Sequence, residues 1–89
     1  MPSIKELKDE IKGLAFDLVN ECMLYRHFHP EKDGKVNKVL SEIINSRKDL
    51  INRVNNPLKT GNPKELKSYY QSIRTDMNKM VSLVDKLSE

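Results

Sequence analysis

Apolar side chains recur at steps of three and four along most of the chain. Ile4, Leu7, Ile11, Leu14, Leu18, Cys22 and Tyr25 form one such series, with Ala15, Val19 and Phe28 beside it. This spacing places them on one face of a helix. Lys5, Lys8, Asp9, Lys12, Asp17 and Glu21 fall mostly on the other side. A second series is Val36, Val39, Leu40, Ile43, Ile44, Leu50, Ile51 and Val54. It is rich in β-branched residues, but its period is helical and its length far exceeds that of a usual strand. The third runs Leu66, Tyr70, Ile73, Met77, Met80, Val84 and Leu87, flanked by Tyr69, Val81 and Leu83. Its alternating steps of four and three average 3.5 residues, the period of coiled-coil-like packing.

Start and stop signals divide these series into three helices over about residues 4–29, 35–55 and 63–88. Ser3 with Glu6 is a capping-box pattern. Pro30 disfavours helical backbone at His29, and Gly34 offers a flexible or left-handed position, so Pro30–Gly34 is expected to form a tight corner, with Asp33 or Gly34 capping the next helix. Asn55, Asn56 and Pro57 end the second helix. After a loop, Asn62, Pro63 and Glu65 supply a cap, a first-turn proline and a first-turn acid. Gly13 falls inside the first helix, where it either weakens the helix or admits a close neighbour. Such connections place neighbouring helices antiparallel. The predicted fold is all-α: a single domain over residues 1–89, an up-down-up three-helix bundle with helices roughly 30–40 Å long.

Composition agrees with this picture and narrows the function classes. The 89 residues are 37% apolar and 33% charged, lean for a globular core but far from disorder. The net charge of +3 is spread evenly, with sums of −1 before Pro30, +2 from Pro30 to Asn56 and +2 thereafter. That is too mild for a nucleic-acid footprint, which requires clustered basic side chains. Lys35, Lys38, Arg47, Lys48 and Arg53 remain a candidate strip, with Tyr69 and Tyr70 for stacking, although Glu42 and Asp49 interrupt it. A lone cysteine excludes an internal disulfide and fits a reducing, cytoplasmic location. The N-terminus enters charged helical sequence directly, and no apolar run approaches the ~20 residues of a membrane span.

The corner gathers the residues with the most chemistry. His27, His29, Glu31 and Asp33 are candidate metal ligands, but side chains two apart on a helix point away from one another. Cys22 lies on the apolar stripe, where burial makes a thiol inert. There is no phosphate loop and no serine elbow. The sequence therefore predicts neither an enzyme nor a cofactor. Residues Tyr25–Gly34 resemble the corner of a J-domain, the co-chaperone module whose helical hairpin carries a His-Pro-Asp turn. Leu40, Ile43, Ser46 and Leu50 loosely match positions of that family's following helix. The resemblance implies an ATP-dependent chaperone as partner. Glu31 replaces the family's aspartate, and its short first helix has no counterpart here.

The expected function is non-enzymatic protein–protein interaction or self-association. Alternatives are a metal or small-ligand site at His27 and His29, a nucleic-acid-binding module, or a degenerate J-domain-like co-chaperone. Val19, Met23, Ile44, Ile51 and Leu83 lie at the margins of the stripes, where they either widen the core or form a partner or homodimer face. Arg47 interrupts the second stripe, either as a snorkelling side chain or as a polar anchor in a groove. The interface candidates are Val19, Met23, Ile44, Arg47 and Ile51.

Overall fold

A computed structural model describes residues 4–88. Its elements are α1 (Ile4–Phe28), α2 (Asp33–Asn55) and α3 (Pro63–Asp85), with 3-10 turns at Pro30–Lys32 and Lys86–Ser88. The three helices pack on one another as an all-α bundle measuring 51 × 21 × 16 Å. Ser3 of the capping-box pattern lies outside the described residues.

The stripes become one core. Leu7, Ile11, Ala15, Leu18 and Cys22 from α1 meet Val36, Val39, Ile43, Leu50 and Val54 from α2 and Ile73, Met77 and Met80 from α3. Leu87 joins them from the terminal 3-10 turn. Two expected members of the first stripe stand outside it. Ile4 is 45% exposed and Phe28 is 68% exposed, because both lie at helix ends where the bundle no longer covers the stripe.

The corner is tighter than expected and needs no left-handed residue. His29 leaves helical geometry just before Pro30, as the proline ring demands, and its N–H still donates to the Tyr25 carbonyl at 2.9 Å. Pro30 then opens the 3-10 turn, which runs directly into α2. Neither Asp33 nor Gly34 caps the start of α2. Lys32 occupies that position without a side-chain cap bond, Asp33 is already helical, and no glycine has positive φ. The turn between Pro30 and Lys32 makes the reversal, leaving Gly34 nothing special to do. At the other connection, Asn62 caps α3 as predicted, its Oδ1 accepting from the Lys64 N–H at 2.9 Å. Thr60 braces this start by donating to Glu65 Oε2 at 2.7 Å.

Polar contacts at the core's margin join the helices. Arg53 Nη1 on α2 donates to Asp76 Oδ2 on α3 at 2.6 Å, and its Nη2 donates to Ser72 Oγ at 2.8 Å. Arg74 on α3 pairs with Glu10 on α1 at 3.2 Å. Hydrogen bonding from Arg53, opposed by partial burial and reinforced by the charges of Arg53 and Lys79, holds the Asp76 carboxyl below its ordinary value of 3.8.

Gly13 is exposed in mid-α1, and a methyl group there would meet no atom within 4 Å, so no helix makes use of its small size. Gly13→Ala is expected to stabilise the bundle by about 1 kcal/mol. Thermal unfolding would then show a rise of about 4–8 °C in Tm. Asp76 has the opposite leverage, and it depends on pH. Its folded pKa is lowered, so the bridge contributes fully above the unfolded value and is lost as pH falls through the folded one. Asp76→Asn should cost about 1 kcal/mol or less at pH 7, with the difference from wild type closing as pH is lowered to about 2 in urea titrations.

Candidate functional site

The histidine corner is built as a clamp. Tyr25 lies at its centre: its ring stacks on His29 with centroids 4.5 Å apart, and Lys32 Nζ sits 5.7 Å from the ring centroid. Its hydroxyl donates to the Leu87 carbonyl at 2.6 Å, tying the end of the bundle's last turn to α1. Arg26 Nη1 donates to Asn37 Oδ1 at 2.9 Å and lies 3.8 Å from Asp33, while Asn37 donates to Asp33 at 3.2 Å. These bonds join the two helices of the hairpin at its turn.

The four candidate ligands separate into different roles. His29 Nδ1 faces Glu31 at 3.4 Å, Asp33 belongs to the Arg26 network, and His27 packs edge-on to Phe28. Among the described residues, no three histidine, cysteine, aspartate or glutamate side chains gather where they could hold a metal ion. His27 instead lines a shallow cleft with Met23, Arg26, Pro30 and Asp33. Cys22 is fully buried; burial, with Glu21 adding to it, pushes its thiol pKa up and keeps it protonated.

The basic strip envisaged on α2 is divided between faces. Arg53 is committed to Asp76, whereas Lys38 and Arg47, nine residues apart, lie about half a turn from each other around the helix. Tyr69 and Tyr70 contact each other edge-on at 5.9 Å. The Tyr69 hydroxyl donates to the carbonyls of Arg53 at 2.6 Å and Asn56 at 3.2 Å, closing the free end of α2.

A different site lies between α1 and α2. Lys12, Ala15, Phe16 and Val19 from α1 and Ile43, Ile44 and Arg47 from α2 line an open apolar groove of about 350 Å³. No side chain of α3 lines it. Phe16, 67% exposed, and Ile44, 53% exposed, are large apolar residues on opposite walls of this cleft. Arg47 is half-buried on the groove wall and makes no ion pair among the described residues, unlike Arg26, Arg53 and Arg74. Lys12 is likewise without a salt-bridge partner among the described residues.

Of the five interface candidates, Val19, Ile44 and Arg47 thus meet in this groove. Met23 lies one turn beyond Val19, at the cleft beside the corner, and Ile51 is partly buried against the core. Phe16 was not among them. It sits two residues from both Leu14 and Leu18, off the main stripe. The signal that reveals it is a second series on α1, namely Lys5, Lys8, Lys12, Phe16, Val19, Met23 and Arg26, again at steps of three and four. The acids Glu6, Glu10, Asp17 and Glu21 follow their own helical series on another edge, from which Glu10 reaches Arg74 of α3. Most of the lysines and acids expected to share one outer face are therefore sorted around the helix, with the lysines beside the groove and Asp9 alone among the acids standing on their edge, between Lys5 and Lys12.

No family model, no curated protein and no solved structure matches this chain. No helix among the described residues is long and apolar enough to cross a membrane.

If the Tyr25 clamp serves the fold, removing its hydroxyl should affect stability alone. Tyr25→Phe is expected to lose about 0.5–1.5 kcal/mol, the net worth of such a hydrogen bond. Denaturant unfolding measures the loss, and amide exchange should locate the loosening in the turn around Leu87.

Proposed function

We propose that this protein works by binding another protein, or a second copy of itself, along the α1–α2 face, and not by catalysis. The observation that carries the reading is the pairing of exposed Phe16 and Ile44 across an apolar groove that the chain's own third helix leaves uncovered. Apolar surface of this kind, concave and rimmed by charge, is the usual form of a protein-binding site. Its centre contains the residue types that dominate binding energy, an aromatic ring and an arginine.

The placement of reactive groups supports binding over catalysis. The Cys22 thiol lies in the core, the Tyr25 and Tyr69 hydroxyls close helix ends, and the His29 ring is stacked on Tyr25. Each has a structural task away from the groove. A cytoplasmic setting suits a chain with one buried free thiol.

A photo-crosslinking amino acid placed at residue 16 or 44, with residue 38 as an exposed control on another face, tests the proposal in extracts of the source cell. Adducts are expected from the two groove positions and not from the control. Ile44→Asp should abolish them while leaving the melting curve within about 0.5 kcal/mol of wild type, as befits an exposed position. Equal yields at all three positions, together with a strictly monomeric mass by light scattering, would remove the reading.

A further inference from the structure

Resting on that reading, we infer that the groove's occupant is an acidic amphipathic helix of another protein, with apolar anchors at i, i+3 or i+4 bordered by glutamate or aspartate. Two antiparallel helices bound it lengthwise, so the element that best fills it is a third helix lying along the seam, at the 8–10 Å interaxial spacing of packed helices. Phe16 and Val19 on one wall and Ile44 on the other, above a floor that includes Ala15 and Ile43, leave room for one or two inserted side chains. The α1 wall from Lys12 to Val19 spans about 10 Å, or two helical turns. A helix of about 12–15 residues covers it.

Charge then selects the chemistry of that helix. Lys12 and Arg47 stand on opposite walls without anionic partners among the described residues. Lys5 and Lys8 continue the α1 edge below them, and Lys48 follows Ile44 by one turn on α2. At the far end, Arg26 is already neutralised by Asp33. Among the described residues, groove-side cations thus have no salt-bridge partner at the centre and toward the open end of the hairpin, and Asp9 is the one acid on that α1 edge. An acidic helix would answer them from both sides at once, with Arg47 offering a planar fork to a carboxylate.

The same distribution disfavours a second copy bound symmetrically. A two-fold contact sets a patch against itself, bringing Lys12 and Arg47 toward their own duplicates, and like charges so placed cost affinity.

A displayed library tests the inference: 15-residue helices with leucine or isoleucine at a, d and e positions and flanking positions free to be Glu, Lys, Gln or Ser. Selection uses the whole protein, with Ile44→Asp as counter-selection. Retained clones are expected to carry acids at the flanks. One such clone should bind Arg47→Glu at least about tenfold more weakly, and its own acid-to-lysine variant should recover part of that loss on Arg47→Glu alone. Clones that depend on Ile44 but carry neutral or basic flanks would overturn the acidic-helix inference and leave groove binding intact. So would concentration-dependent self-association in sedimentation equilibrium that Ile44→Asp abolishes. Binding to phosphatidylserine vesicles that is unaffected by Ile44→Asp, with no retained clones, would overturn both.

Discussion

The bundle is held by a seam in which, among the described residues, no polar or charged side chain is fully buried. Apolar burial drives the helices together without direction, so an apolar seam cannot by itself select one sliding position of three similar helices over another. The selection comes from directional bonds at its edges. Tyr25 reaches the Leu87 carbonyl at one end, and Tyr69 reaches the Arg53 carbonyl on the neighbouring pair of helices. Arg53 with Asp76 and Arg74 with Glu10 fix α3 against both partners. Each bond is modest, but together they admit a single register. They also account for the corner: its rings and charges are the fittings that align helix ends.

Much of this was legible from spacing. A series such as Leu66, Tyr70, Ile73, Met77 and Met80 specifies a helix and its buried face because only one period satisfies it. Asn62 and Pro63 specify where that helix begins for equally local reasons. The corner was less legible, since Gly34 permits a left-handed turn without requiring one, and the Pro30–Lys32 turn made the reversal first. Ile4 and Phe28 followed the apolar period into helix ends where nothing covers them. Periodicity reports a face; how far the neighbouring helices extend is a property of the assembled bundle.

The groove illustrates the same limit more sharply. A helix in a bundle has one face in the core and another that is free to carry a second pattern. On α1 that second pattern is Lys12, Phe16, Val19 and Met23, interleaved with the core series and hidden by it. Charge summed along the chain is nearly even, whereas charge sorted around α1 is uneven: its lysines lie toward the groove, with Asp9 beside them, and its other acids lie on another edge, from which Glu10 reaches α3. Linear composition averages over the very coordinate, rotation about the helix axis, in which this surface is organised.

Cys22 adds a kinetic dimension to the static picture. It is the chain's single thiol, sealed in the seam one turn below Tyr25, and burial keeps it in the unreactive protonated form. Alkylation must therefore wait for α1 to part from its neighbours. The rate at which a small reagent consumes this thiol becomes an intrinsic clock for breathing of the hairpin. It needs no engineered probe, and a helix lodged in the groove, by holding α1 and α2 together, would slow it.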